Sequence, residues 1–126
     1  DEKIKSHILK SSIFALAKSG TISLEICNAM IPSIIIYKMG MINFFIVKMF
    51  VKVKFANIIN IAANEEVIPE LLQSKCNPNN IYNAVDKLLS DRHALETQVA
   101  KFQSIINNFK TEKSSKIACS VLLKHL

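Results

Sequence analysis

Apolar positions in the first half of the chain switch between two periods. Ile4, Ile8 and Leu9 share a helical face, so a helix is predicted over residues 1–11. Residues 12–17 form a compact apolar run (Ile13, Phe14, Ala15, Leu16, Ala17), short enough for a buried strand. Lys18-Ser19-Gly20-Thr21 is turn chemistry, and residues 22–30 return to helical spacing. Pro32 stops that helix, because proline cannot continue the hydrogen-bond ladder. Residues 33–37 carry three successive isoleucines and no charge, which suits a second buried strand. Gly40 punctuates, an apolar helix is predicted over residues 42–53, and a third strand is expected over residues 56–61.

After Asn64 the pattern becomes helical throughout. Residues 65–73 read as a helix with two acids in its first turn, where they complement the dipole. Asn77-Pro78 supplies a cap and a first-turn proline for a helix reaching Leu89. Asp91 opens a longer one through Phe109, with Leu95, Val99, Phe102, Ile105, Ile106 and Phe109 at helical spacing. A last helix is expected over residues 113–125. Strands alternating with helices, then a helical tail, imply an α/β fold on a parallel sheet with only two or three strands. The pattern has no internal repeat and no low-complexity linker.

Composition changes this picture little. The chain has 126 residues, half of them apolar, which suits one domain or part of a larger one. Its net charge of +6 comes from 15 Lys and one Arg, Arg92, against 10 acids. With 19 Ile and 11 Asn, the lysines read as codon bias of an AT-rich genome. They are dispersed and no run of them is interleaved with stacking aromatics, so no nucleic-acid partner is expected. Cys27, Cys76 and Cys119 are odd in number and far apart, which argues against a disulfide framework or a zinc site and for a reducing compartment. His7, His93 and His125 lie far apart and read as surface residues. No metal-ligand cluster is visible. The chain starts at Asp1 rather than Met, so further sequence upstream is expected.

The apolar stretch over residues 33–53 raises the question of a membrane span. Lys38, Lys48 and Lys52 interrupt it, and its longest charge-free piece, from Met39 to Val47, has nine residues where a spanning helix needs about 20. No signal peptide is seen. The expectation is a cytoplasmic protein that can sit peripherally on the inner membrane face. Met41 to Lys54 is the candidate contact: Phe44, Phe45, Ile46, Met49 and Phe50 are bulky, and Lys48, Lys52 and Lys54 can meet anionic headgroups. A helix packed on a sheet with snorkelling lysines is the competing and preferred reading.

The most informative segment runs from Ala17 to Glu25. A strand ends, a glycine turn follows and a helix begins, and in open α/β sheets ligands sit beyond the carboxyl ends of strands. Free N–H groups at a helix start attract anions such as a diphosphate. Gly20 permits close approach, and Ser19 and Thr21 can donate from their hydroxyls or simply cap the helix. Glu25, four residues after Thr21, shares its helical face and can accept from ribose hydroxyls. The alternative is a capped helix with a solvated glutamate, and pattern alone favours that alternative. Glu66 and Glu70 would share a face of the 65–73 helix and read as solvated.

Read in order, these segments resemble the carboxyl-terminal part of the lipid-A-disaccharide synthase family, glycosyltransferases of GT-B architecture. The resemblance begins at Ile13-Phe14-Ala15-Leu16-Ala17-Lys18-Ser19-Gly20-Thr21 and continues through Leu24-Glu25, Ile31-Pro32 and Tyr37-Lys38. It runs on from Phe45 to Lys54, then Asn60, Glu66 and Val67-Ile68-Pro69-Glu70-Leu71-Leu72-Gln73. The resemblance implies two Rossmann-like domains flanking a cleft, and transfer of 2,3-diacylglucosamine from UDP to lipid X (2,3-diacylglucosamine 1-phosphate) without a metal or other cofactor. Residues 1–74 would then be a partial Rossmann-like UDP-sugar-binding region, and residues 75–126 the helical tail of the same domain. Ser19, Gly20 and Thr21 would face the donor diphosphate and Glu25 the ribose, while Asn60 and Glu66 fall on an asparagine and an acidic residue of the nucleotide-side loop. The acceptor site for lipid X and the catalytic base would lie on an amino-terminal domain, so no catalytic residue is assigned in this chain.

One departure bears on donor binding. The family loop usually reads Gly-Arg-Glu where this chain has Asn64-Glu65-Glu66, so an anion stands in place of a cation, which is expected to weaken donor binding. The chain is therefore expected to be either the donor-binding part of a lipid A glycosyltransferase, inactive by itself, or a non-catalytic remnant serving as a structural or interaction module.

Overall fold

The computed structural model describes residues 1–50 and 54–111. Three parallel strands form one sheet in the order β1-β2-β3, with β1 at Ala15–Lys18, β2 at Ser33–Tyr37 and β3 at Glu70–Leu72. Ala15 pairs with Ser33 and Lys18 with Ile36, while Ile35 pairs with Glu70 and Tyr37 with Leu72. Among the described residues six α-helices accompany them: α1 (Glu2–Ser11), α2 (Ile22–Asn28), α3 (Met41–Phe50), α4 (Ile58–Ala63), α5 (Pro78–Ser90) and α6 (Arg92–Thr111). The mixed α/β class and the partial Rossmann-like parallel sheet are as expected.

β2 is the central strand, and its isoleucines explain why. Successive side chains of a strand point to opposite faces. Ile34 and Ile35 are both fully buried, so both faces of β2 are covered. On the Ile35 side α2, α4 and α6 meet around Cys27, Ile59, Val67, Ile68, Phe102, Ile105 and Ile106. The helical spacing read in α6 is what delivers Phe102, Ile105 and Ile106 to that core. Gln98, one turn before Phe102, is buried there, and its amide joins three segments. Its Oε1 accepts from Ser33 N–H at 2.8 Å, and its Nε2 donates to the Ser33 and Val67 carbonyls at 3.1 and 3.0 Å.

Two elements differ from the sequence reading. Residues 56–61 were expected as a strand and instead enter α4, because Asn57 caps it, its Oδ1 accepting from Ile59 N–H at 2.7 Å. A six-residue apolar run cannot be told from a short helix by period alone. Conversely, the helix expected over residues 65–73 does not form: residues 65–69 are irregular, Glu70–Leu72 is β3 and Gln73 opens a 3-10 turn. Pro69 would sit inside such a helix and cost it a hydrogen bond. As part of an extended segment, Pro69 offers its carbonyl, which accepts from Ile35 N–H at 2.9 Å.

β1 begins three residues later than the expected start and is only half-covered. Leu16 and Lys18 are exposed and Ile13, before the strand, is 88% exposed. The helix expected to reach residue 53 is described to Phe50. The expected helix at 113–125, with Cys119 and His125, lies outside the described residues. Among the described residues no helix is long and apolar enough to cross a membrane.

Candidate functional site

The turn after β1 is built as the sequence suggested, with one difference in its capping. Gly20 has φ of +150°, a backbone region that L side chains rarely adopt, so glycine is required there. Thr21 occupies the N-cap position of α2 but makes no side-chain cap bond. Its hydroxyl is thus not consumed by capping. The Ser23 hydroxyl instead bonds back to the Gly20 carbonyl and closes the turn. The Ser19 hydroxyl donates to the Ala56 carbonyl at 3.1 Å, a contact 37 residues away in sequence.

Ala56 leads to a second cluster, at the start of α4. The Glu70 carboxylate accepts from three N–H groups: Ala56 N–H at 2.9 Å on Oε2, and Asn57 N–H and Asn60 Nδ2 at 2.8 Å each on Oε1. The solvated face expected for Glu70 is therefore corrected: from β3 it reaches the orphan N–H groups that begin a helix. Asn60 is fully buried and fully occupied. Its Oδ1 accepts from Val67 and Ile68 N–H at 2.9 and 2.8 Å, and its Nδ2 also donates to the Ile68 carbonyl at 2.7 Å. Glu66 is exposed, and one of its oxygens accepts a long 3.4 Å bond from Glu70 N–H.

Of the six residues singled out, Ser19, Asn60 and Glu66 thus belong to one hydrogen-bonded group through Ala56 and Glu70. Gly20 and Thr21 follow Ser19 in the turn. Glu25 is held differently: its carboxylate pairs with Lys5 of α1 at 2.5 Å, both side chains about half-exposed. An exposed pair of this kind is weak and exchangeable. Sequence reasoning missed Glu70 as part of this group. The signal that could have found it was Pro69, which excludes the helix that made Glu70 look solvated.

The substituted loop also has a local explanation. Asn64 adopts φ of +54° as the left-handed residue ending α4, a conformation that asparagine tolerates better than other non-glycine residues. Glu65 pairs with Lys101 of α6 at 2.6 Å, so its negative charge is met within the molecule. Among the described residues, no three His, Cys, Asp or Glu side chains converge as metal ligands. His7 and His93 are exposed.

Comparison with known proteins gives the family. The family model for lipid-A-disaccharide synthetase (LpxB) matches residues 2–123. The lipid-A-disaccharide synthase of Rickettsia typhi is 35% identical over 125 residues, covering 98% of this chain and 32% of the relative. That of Rickettsia conorii is 41% identical over 101 residues, 79% of this chain and 23% of the relative. The enzyme of Sulfurihydrogenibium sp. is 40% identical over 92 residues, 73% of this chain and 24% of the relative. The chain spans between about a quarter and a third of the length of these relatives. With its parallel sheet, its Ser-Gly-Thr turn and this match along nearly its whole length, the chain belongs to the lipid-A-disaccharide synthetase family.

Proposed function

We propose that this chain is the donor-binding part of a glycosyltransferase of lipid A biosynthesis, holding the UDP end of UDP-2,3-diacylglucosamine. The observation that carries the reading is the turn Ser19-Gly20-Thr21 at the carboxyl end of a parallel strand, in a chain of this family. The donor diphosphate lies against that turn, where Gly20 permits close approach and the Thr21 hydroxyl is free of a capping bond. Glu25 exchanges its partner Lys5 for the ribose hydroxyls. Asn60 acts through the backbone that it fixes, since its amide has no bond to spare. Glu66 lies at the outer margin of the site.

In the transfer, the lipid X hydroxyl attacks the anomeric carbon and loses its proton to a base on another domain. The anomeric C–O bond breaks, and its electron pair leaves with UDP. Backbone N–H groups facing the diphosphate stabilise the charge that develops there. The pairing of Glu65 with Lys101 removes much of the repulsion that a bare anion in the loop would cause. The acceptor arrives at the cleft from a lipid surface, and α3 serves as a peripheral contact with it. Met41, Ile42, Phe45, Ile46 and Met49 are all exposed there, and Lys38 and Lys54 flank the helix.

Isothermal titration with UDP tests the donor reading. Micromolar binding that weakens at least tenfold in Glu25→Ala is expected, with no sugar transfer by the chain alone. Absence of heat at millimolar UDP would instead identify a structural or interaction module whose nucleotide face has decayed.

A further inference from the structure

We propose that Glu70 is a positioning residue for the nucleotide face, its carboxylate setting the place of the Ser19–Thr21 turn through Ala56. Ala56 is held on both sides of its peptide unit. Its N–H donates to Glu70 Oε2 at 2.9 Å, and its carbonyl accepts from the Ser19 hydroxyl at 3.1 Å. Among the described residues, the Ser19–Ala56 bond is the side-chain hydrogen bond that ties this turn to a segment beyond β1 and α2. The far end of that tie is rigid. Three N–H groups converge on one carboxylate, and bonds to a carboxylate are shorter and stronger than those between neutral groups. Glu70 also stands on β3, which is paired in register with β2. The carboxylate therefore refers the turn after β1 to the far side of the same sheet. A neutral amide at position 70 could no longer accept from all three donors, and Ala56 would be free to drift with Ser19. This role rests on the donor-binding reading for its consequence and on the hydrogen bonds alone for its mechanism.

The test uses the whole chain as wild type, Glu70→Gln, Ser19→Ala and the double variant, each checked for folding. Amide resonances are assigned by two-dimensional NMR, and UDP affinity is measured by titration. In Glu70→Gln the resonances of Gly20 and Thr21 move together with those of Ala56 and Asn57, and UDP affinity falls about tenfold. Adding Glu70→Gln to Ser19→Ala costs little more, because one tie has been cut at two points. Unmoved Gly20 and Thr21 resonances, or losses that multiply in the double variant, would overturn the proposal. If Glu70→Gln does not fold, Ser19→Ala decides alone: unchanged resonances at Gly20, Thr21 and Ala56 overturn it. If the wild type binds no UDP, the donor reading falls, and the resonance shifts still decide the positioning role.

Discussion

Cys27 is fully buried on α2, and removal from water pushes its thiol up from 9.0 to about 11. The consequence has a definite sign. Below pH 9 the thiol is neutral in both folded and unfolded chains. Above it the unfolded chain releases the proton while the folded chain keeps it, so stability falls by up to about 1.4 kcal/mol per pH unit until the folded thiol titrates. Urea unfolding of wild type and Cys27→Ala from about pH 8 to about pH 11, the window in which only the unfolded thiol ionises, is expected to give a difference that narrows as pH rises. A constant difference would show that the thiol ionises freely. Cys76, only partly covered, is expected to react with a thiol reagent in the folded chain while Cys27 waits for unfolding. The partners of Gln98 were not legible, because its bonds go to backbone groups as far as 65 residues away.

At the scale of elements, α3 is the outlier. Its pattern put apolar residues around the whole helix, and packing on the sheet was the preferred reading. The structure instead leaves Ile42 77% and Met49 76% exposed. Exposed apolar patches of this kind are characteristic of interaction surfaces. Flotation with vesicles of anionic phospholipid is expected to carry the wild-type chain upward, and Phe45→Ser with Met49→Ser to leave most of it behind. Equal recovery of both would remove α3 as the lipid contact. The exchange of strand and helix between residues 56–61 and 65–73 belongs to the same scale. Both segments are short, and the outcome turned on single residues, the Asn57 cap and Pro69.

At the scale of the whole molecule, strand order leaves β1 on the edge of the described sheet, with Leu16 and the neighbouring Ile13 in solvent. An uncovered apolar edge invites pairing with another chain. Sedimentation velocity of this chain is expected to show self-association that grows with concentration. Leu16→Lys should suppress it by placing a charge on that edge, while leaving the helical circular dichroism unchanged. Self-association unaffected by Leu16→Lys would locate the sticky surface elsewhere, with α3 the next to examine.

What the sequence determined by itself was local and chemical. It placed β2, where three isoleucines admit little else, the glycine turn after β1, and the starts of α5 and α6, where caps and spacing agree. It also pointed to the family through the order of its segments. Tertiary structure decided that Glu65 would face Lys101 rather than open solvent. It also gathered Ser19, Ala56, Asn60 and Glu70 into one group. The physical reason is common to both. Each depends on hydrogen-bonding groups or charges that meet only after the sheet has formed, and no local preference encodes those meetings.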